Sequence, residues 1–121
     1  MEIEVRGPGH HERSEVASKL AAVLARSGRR VWIRLDIRPR LAADISQILA
    51  QGAERVVIEG EGMVGWASKP PLEIEIPLEV VEVVMHATAD PLGVYGATGT
   101  LSDAEIDSLR DAGIRVVELE G

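Results

Sequence analysis

The residues best suited to chemistry lie together near the start of the chain, in the stretch Gly7-Pro8-Gly9-His10-His11-Glu12-Arg13-Ser14. The alternating run Ile3-Glu4-Val5 before it is typical of a β-strand, and residues 15–27 after it are strongly helical in pattern. A glycine-rich turn between a strand and a helix places free backbone N–H groups and the positive end of the helix dipole around the turn. The pattern therefore predicts a loop over residues 7–14 that is a candidate anion site.

This stretch resembles the Walker A region of P-loop NTPases, and in particular the small P-loop proteins common in bacteriophage genomes. Gly7, Pro8 and Ser14 match the first glycine, a frequent proline and the final Ser/Thr of the motif G-x-x-x-x-G-K-[ST]. Glu12 stands at the second glycine and Arg13 at the lysine. A side chain hinders the positive φ that a glycine adopts freely, and a carboxylate repels phosphate. We therefore expect a degenerate Walker A motif that has lost ordinary NTP binding.

The resemblance also implies which residues would hold a nucleotide and its Mg²⁺ if they bind. Ser14 would hold the metal, and Glu59 ends an apolar run where P-loop proteins keep the Walker B acid. The candidate nucleotide and phosphate contacts are Gly7, Gly9, Arg13, Ser14, Asp36 and Glu59.

Histidine and carboxylate side chains offer a second kind of site. Several follow predicted strands, and the carboxyl ends of parallel strands meet at one edge of a sheet. Such ligands suit Zn, Mn or Fe. The candidate metal ligands are His10, His11, His86 and Asp90. The alternative is that these are ordinary polar loop residues, with His86 a histidine of the core.

Composition excludes several classes of function. The chain has 121 residues, a net charge of -7 and no cysteine. A strongly acidic balance argues against general nucleic-acid binding, and the lack of cysteine excludes disulfides and thiolate metal sites. No apolar run has the length of a membrane span. We therefore expect a cytoplasmic protein with neither a membrane nor nucleic acid as partner.

The order of elements predicts the fold. Apolar runs at 31–35, 55–59, 80–87 and 114–119 are typical of strands, and helices are expected after residues 14 and 38 and at a capping box that begins at Ser102. Residues 60–79 form an irregular insert that either holds a hairpin on the sheet edge or contains a flap at 72–76. We predict one α/β domain over residues 1–121, P-loop NTPase-like, with three layers: a mostly parallel sheet of about five strands and three helices.

These observations favour a non-catalytic protein that acts through a protein partner or through self-association, with strand 72–76 a candidate for edge addition to a second copy. Two alternatives stay open. One is a small Mg²⁺-dependent phosphotransferase or phosphohydrolase that binds a nucleotide. The other is a metal-dependent hydrolase that uses the histidines.

Overall fold

The computed structural model describes residues 1–36, 41–60, 63–68 and 77–117, and in this part of the chain seven strands form one sheet. The strands are ordered β4-β3-β2-β5-β1-β6-β7 across the sheet. Their bounds are β1 Glu2–Gly7, β2 Arg30–Asp36, β3 Arg55–Gly60, β4 Met63–Ser68, β5 Val80–Ala87, β6 Gly93–Tyr95 and β7 Val116–Val117. The three helices are α1 His10–Arg26, α2 Leu41–Gln51 and α3 Asp103–Asp111.

The sheet is mixed. Strands β3, β2, β5 and β1 run parallel to one another, and β6 pairs with β7 in the parallel sense. Strand β4 pairs with β3 and β6 pairs with β1 in the antiparallel sense. The prediction of about five strands is too low because these two antiparallel strands extend the parallel centre on both sides. The hairpin β3–β4 answers part of the question left open for residues 60–79, whereas strand 72–76 lies outside the described residues.

The described helices pack on one face of the sheet. Residues of α1, α2 and α3 share a single core with the inward residues of the strands, among them Leu20, Ile48 and Leu109 with Val5 and Val83. The connections from β1 to β2 and from β2 to β3 advance in the same direction across the sheet, so right-handed crossovers place α1 and α2 on the same side. The three described helices therefore form one layer on the sheet, and the predicted third layer is not confirmed by the described residues.

The opposite face of the sheet carries polar side chains together with apolar ones, among them the buried Val80. Strand register aligns Glu4 with Tyr95 and Arg6 with His86 on this face. Farther along, the Arg55 guanidinium lies 4.0 Å from the ring centroid of Trp32, which is buried. In the described ranges no helix combines the length and apolar character needed to cross a membrane.

Local signals in the sequence define α3 and β5 well. The Ser102 side chain accepts a hydrogen bond from the Glu105 backbone N–H, and the Glu105 side chain accepts one from the Ser102 N–H. The predicted capping box is thus confirmed. Strand β5 occupies the bounds that its apolar run predicts.

Candidate functional site

The turn between β1 and α1 is much shorter than predicted. Strand β1 ends at Gly7 and α1 begins at His10, so only Pro8 and Gly9 connect them. The prediction that residues 10–14 belong to a loop is therefore wrong, because they form the first turns of α1. A phosphate loop wraps its ligand with a run of backbone N–H groups, and this turn has only two residues, one of them a proline without an N–H.

Neither predicted phosphate-binding glycine has the backbone conformation that only glycine adopts readily. Gly9, the N-cap of α1, has a φ of -97°, and Gly7 is not among the described glycines with positive φ. A Cβ at Gly7 would lie 2.8 Å from Leu92 Cδ1 and 3.2 Å from Leu92 Cα. A Cβ at Gly9 would overlap the Glu12 carboxylate. Close packing against Leu92 therefore accounts for glycine at position 7, whereas at position 9 the exposed Glu12 side chain could move aside.

The Arg13 side chain is turned inward. Its residue is 1% exposed, and its Nη1 donates a hydrogen bond of 2.8 Å to the Gly7 carbonyl oxygen. Its Nε is buried and has no hydrogen-bond partner among the described residues. Arg13, which the resemblance to the Walker A motif would place on the phosphates, thus connects α1 to the end of β1 by a hydrogen bond.

The Glu12 carboxylate lies at the start of α1. The N-cap Gly9 has no side-chain capping hydrogen bond, and Glu12 is the acidic residue of the first helical turn, packed against Gly9. A carboxylate in the first turn interacts favourably with the helix dipole, by about 0.3–1 kcal/mol. An external anion that approached this helix end would therefore meet a negative charge already there.

A histidine, a serine and an aspartate meet where α1 faces α2. His10 Nε2 lies 3.1 Å from Asp44 Oδ2, and Ser14 Oγ lies 3.5 Å from both of these atoms. Ser14 is buried, while the His10 and Asp44 side chains are 17% and 16% exposed. Ser14 and Asp44 line a small cavity of about 120 Å³, and His11 lines it as well. Asp44 was not predicted from the sequence, because its only signal is its place in the first turn of α2.

This cluster does not have the arrangement of a Ser-His-Asp triad. In a triad the aspartate accepts from Nδ1 of the imidazole, and the serine donates to Nε2. Here Asp44 and Ser14 both contact Nε2 of His10, and Nδ1 is buried with no hydrogen-bond partner in the described part of the chain. The geometry supports a contact that joins α1 to α2 and does not provide a proton relay.

The four predicted metal ligands lie in two separate places, His10 and His11 beside α2 and His86 and Asp90 near Glu4 and Arg6 of β1. His10 contacts Asp44 beside α2, and His11 lines the cavity there. His86 Nε2 lies 3.7 Å from Glu4 Oε1, on the face of the sheet opposite the helices. Among the residues that the structure describes, no three or more His, Cys, Asp or Glu side chains are grouped so that they could hold a metal ion.

Asp90, the fourth predicted ligand, contacts a cation. Its Oδ2 lies 3.5 Å from Arg6 Nη1, and Arg6 Nη2 also lies 2.6 Å from Glu4 Oε2. The hydrogen bond to Glu4 raises the pKa of Arg6, whose guanidinium stacks over Tyr95 with its Cζ 4.5 Å from the ring centroid. This cluster of paired charges was not predicted from the sequence, since it joins two strands, β1 and β6, and a loop.

The two predicted acidic residues at strand ends are neighbours in the sheet. Asp36 and Glu59 are aligned in the parallel register of β2 and β3. The structure does not describe their side chains, so their predicted part in a nucleotide site stays a prediction.

No family model, curated protein or solved structure matches the chain.

Proposed function

We propose that this chain is a degenerate P-loop-like protein that does not turn over nucleotides and acts through contacts with other proteins or with its own copies. The observation that carries the proposal is the Arg13 side chain, which is buried and hydrogen-bonded to the Gly7 carbonyl oxygen. A guanidinium in that position would have to leave its buried site and give up this hydrogen bond before it could reach a phosphate above the turn.

The Glu12 carboxylate supports the same proposal. It lies against Gly9, at the end of α1 where backbone N–H groups would meet an anion. Two like charges about 4 Å apart repel by about 1–4 kcal/mol, depending on the local dielectric. Since each 1.4 kcal/mol or so is a tenfold change in affinity, this repulsion alone would weaken phosphate binding severalfold or more.

The P-loop ancestry in this proposal rests on Gly7, Pro8 and Ser14 and on the order of strand, turn and helix. The two-residue turn distinguishes the chain from working members of that family. We also propose that the protein is located in the cytoplasm, as expected from the sequence.

A thermal-shift panel tests the proposal with ATP, GTP and deoxynucleotides, each at millimolar concentration with and without Mg²⁺. We expect no change in Tm. A nucleotide present at 100 times its Kd would add about 2.7 kcal/mol to the free energy of unfolding, which is readily detected. A saturable, Mg²⁺-dependent rise in Tm that is lost in Ser14→Ala would overturn the proposal in favour of the phosphotransferase alternative.

The metal-dependent hydrolase is tested in the same way with Zn²⁺, Mn²⁺ and Fe²⁺. The separation of the predicted ligands leads us to expect no stoichiometric binding. A matched variant, His10→Gln, serves as control, because any rise in Tm from a real site at His10 would be lost in it.

A further inference from the structure

The four arginines of the described strands differ in how their charges are compensated. Three of them pair with a carboxylate, at distances of 2.6, 3.0 and 3.5 Å; these pairs are Arg6–Glu4, Arg30–Glu54 and Arg34–Glu82. The fourth, Arg55 at the start of β3, forms no ion pair with a described residue, and it is the only one of the four that is buried. A buried guanidinium normally has a charged partner, because removing its charge from water is costly. Arg55 therefore lacks the counter-charge that its burial would normally require.

The Arg55 side chain is held by stacking. Its Cζ lies 4.0 Å from the ring centroid of Trp32 on the neighbouring strand β2, and the two residues are aligned in the register of β2 and β3. The Trp32 ring is held in turn by a hydrogen bond of 3.3 Å from its Nε1 to Glu54 Oε1. Stacking on an aromatic ring leaves the N–H groups at the edges of a guanidinium free to donate. The plane of the Arg55 guanidinium is thus fixed while its donors stay available.

The hydrogen-bond donors of Arg55 are unused within the part of the chain that the structure describes. Of its three nitrogens, only Nε is buried without a partner there. The two Nη atoms also lack a partner among the described residues, so they keep contact with solvent. The 8% of Arg55 that is exposed therefore includes the outer edge of the guanidinium. Buried polar groups are normally hydrogen-bonded, so this arrangement indicates a ligand that reaches the side chain from outside.

A carboxylate is the anion that fits this position. The two Nη atoms at the outer edge of a guanidinium match the two oxygens of a carboxylate. A phosphate dianion would bring a second negative charge close to Glu54 and Glu82, which lie beside Trp32. The fixed plane of Arg55 lowers the entropy lost on binding. A single pair of this kind is weak, so the molecule that carries the carboxylate has to make further contacts, as a protein does.

We propose that Arg55, stacked on Trp32, is the anchor for an aspartate or glutamate side chain of a different protein. The inference rests on the proposed function, because it states the chemistry by which a protein held to act by contact recognises its partner. Arginine and tryptophan are enriched among the interface residues that carry most of the binding energy. The net charge of -7 gives this chain no general attraction for carboxylates, so binding of one depends on a local cation such as Arg55.

An NMR titration of the full chain with N-acetylglutamate α-methylamide, at constant ionic strength, tests the proposal. This probe carries one glutamate carboxylate on a neutral backbone. We expect saturable shifts of the Arg55 Nε–H and Trp32 Nε1–H resonances, because these groups belong to the stacked pair. N-acetylglutamine α-methylamide has the same shape without the charge and should cause no such shift.

A matched pair of variants tests the geometry of the fork. Arg55→Lys keeps the charge and loses the two parallel donors, so it should bind the probe roughly tenfold more weakly, as read at Trp32 Nε1–H. Arg26→Lys makes the same change on the exposed surface of α1 and should leave the affinity unchanged. Two-dimensional spectra show whether each variant is folded, and the two titrations of the wild type test the proposal without any variant.

Several results would overturn the inference. They are an Arg55 resonance that does not respond, an equal response to the glutamine compound, and an Arg55→Lys variant that binds as well as the wild type. A stronger response to inorganic phosphate would replace the carboxylate with a different ligand, and Arg55 shifts that grow with protein concentration alone would assign the carboxylate to a second copy. Failure here leaves the nucleotide result intact, since that panel measures Tm with ligands of the turn before α1.

Discussion

The contact between the loop that follows α1 and the start of α3 allows a quantitative prediction. The Arg29 guanidinium donates two hydrogen bonds of 2.9 Å to the Glu105 carboxylate, one to each oxygen. The same carboxylate accepts from Ser27 Oγ and from the Ser102 backbone N–H, each at 2.9 Å. The Glu105 side chain is only 8% exposed. The perturbation we consider is Glu105→Gln, which keeps the shape of the side chain and removes its charge.

The magnitude follows from the pKa of Glu105. The Arg29 hydrogen bonds, with those from Ser102 and Ser27, lower this pKa from 4.5 to about 2 against the opposing effect of burial. At about 1.4 kcal/mol per pH unit, the ionised form contributes about 3 kcal/mol to the free energy of unfolding. Because folding lowers the pKa, this contribution is complete above pH 4.5 and is lost as the pH falls from 4.5 to about 2.

Urea unfolding of the wild type and of Glu105→Gln, from neutral pH to about pH 2, measures the contribution. The free energy of unfolding of the two proteins should differ by about 3 kcal/mol near neutral pH, and this difference should fall toward zero near pH 2. Glu79→Gln is the control, because Glu79 pairs with Arg30 at 2.9 Å but its side chain is 64% exposed. The control should change stability little at any pH. If the free energies of unfolding of the wild type and Glu105→Gln differ by the same amount at every pH, the ionised Glu105 carboxylate is not the source of this stability.

Two further predictions concern the candidate site. Gly7→Ala should lower the free energy of unfolding by about 1–3 kcal/mol in urea unfolding, because its Cβ would press on Leu92. The double variant Gly7→Ala/Leu92→Ala should lose less free energy of unfolding than the sum of the losses in the two single variants. Fully additive losses would count against the contact. Asp44→Ala should lower the free energy of unfolding by about 0.5–1.5 kcal/mol through its contact with His10. In a His10→Ala background the same change should cost little, and an equal cost there would contradict the pairing.

Much of the fold could be predicted because its signals are local. The capping box at Ser102 and the apolar run of β5 depend on neighbours in sequence, and both were predicted with nearly correct bounds. Strand β6 was not predicted. It has three residues, Gly93–Tyr95, and owes its place to pairing with β1. The number of layers also depends on the direction in which the chain crosses the sheet, which no local pattern reveals.

The candidate site was harder to predict for a related reason. Gly7 and Gly9 suggest a phosphate loop because glycine is common there, whereas Gly7 is explained by contact with Leu92, far away along the chain. The inward turn of Arg13 and the pairing of His10 with Asp44 are likewise tertiary contacts. The residue types in the sequence indicated where polar groups lie, but only the structure showed how their side chains are oriented.

Whether the turn before α1 binds phosphate is tested most directly by an NMR titration that follows the backbone amides of Gly7 and of residues 9–14. The chain is titrated with Mg²⁺–ATP and, separately, with inorganic phosphate. With Arg13 bound to the Gly7 carbonyl and Glu12 against Gly9, we expect no saturable shift in these amides. Saturable shifts at Gly9 and in the first turn of α1 would show that the turn binds phosphate and would contradict the account.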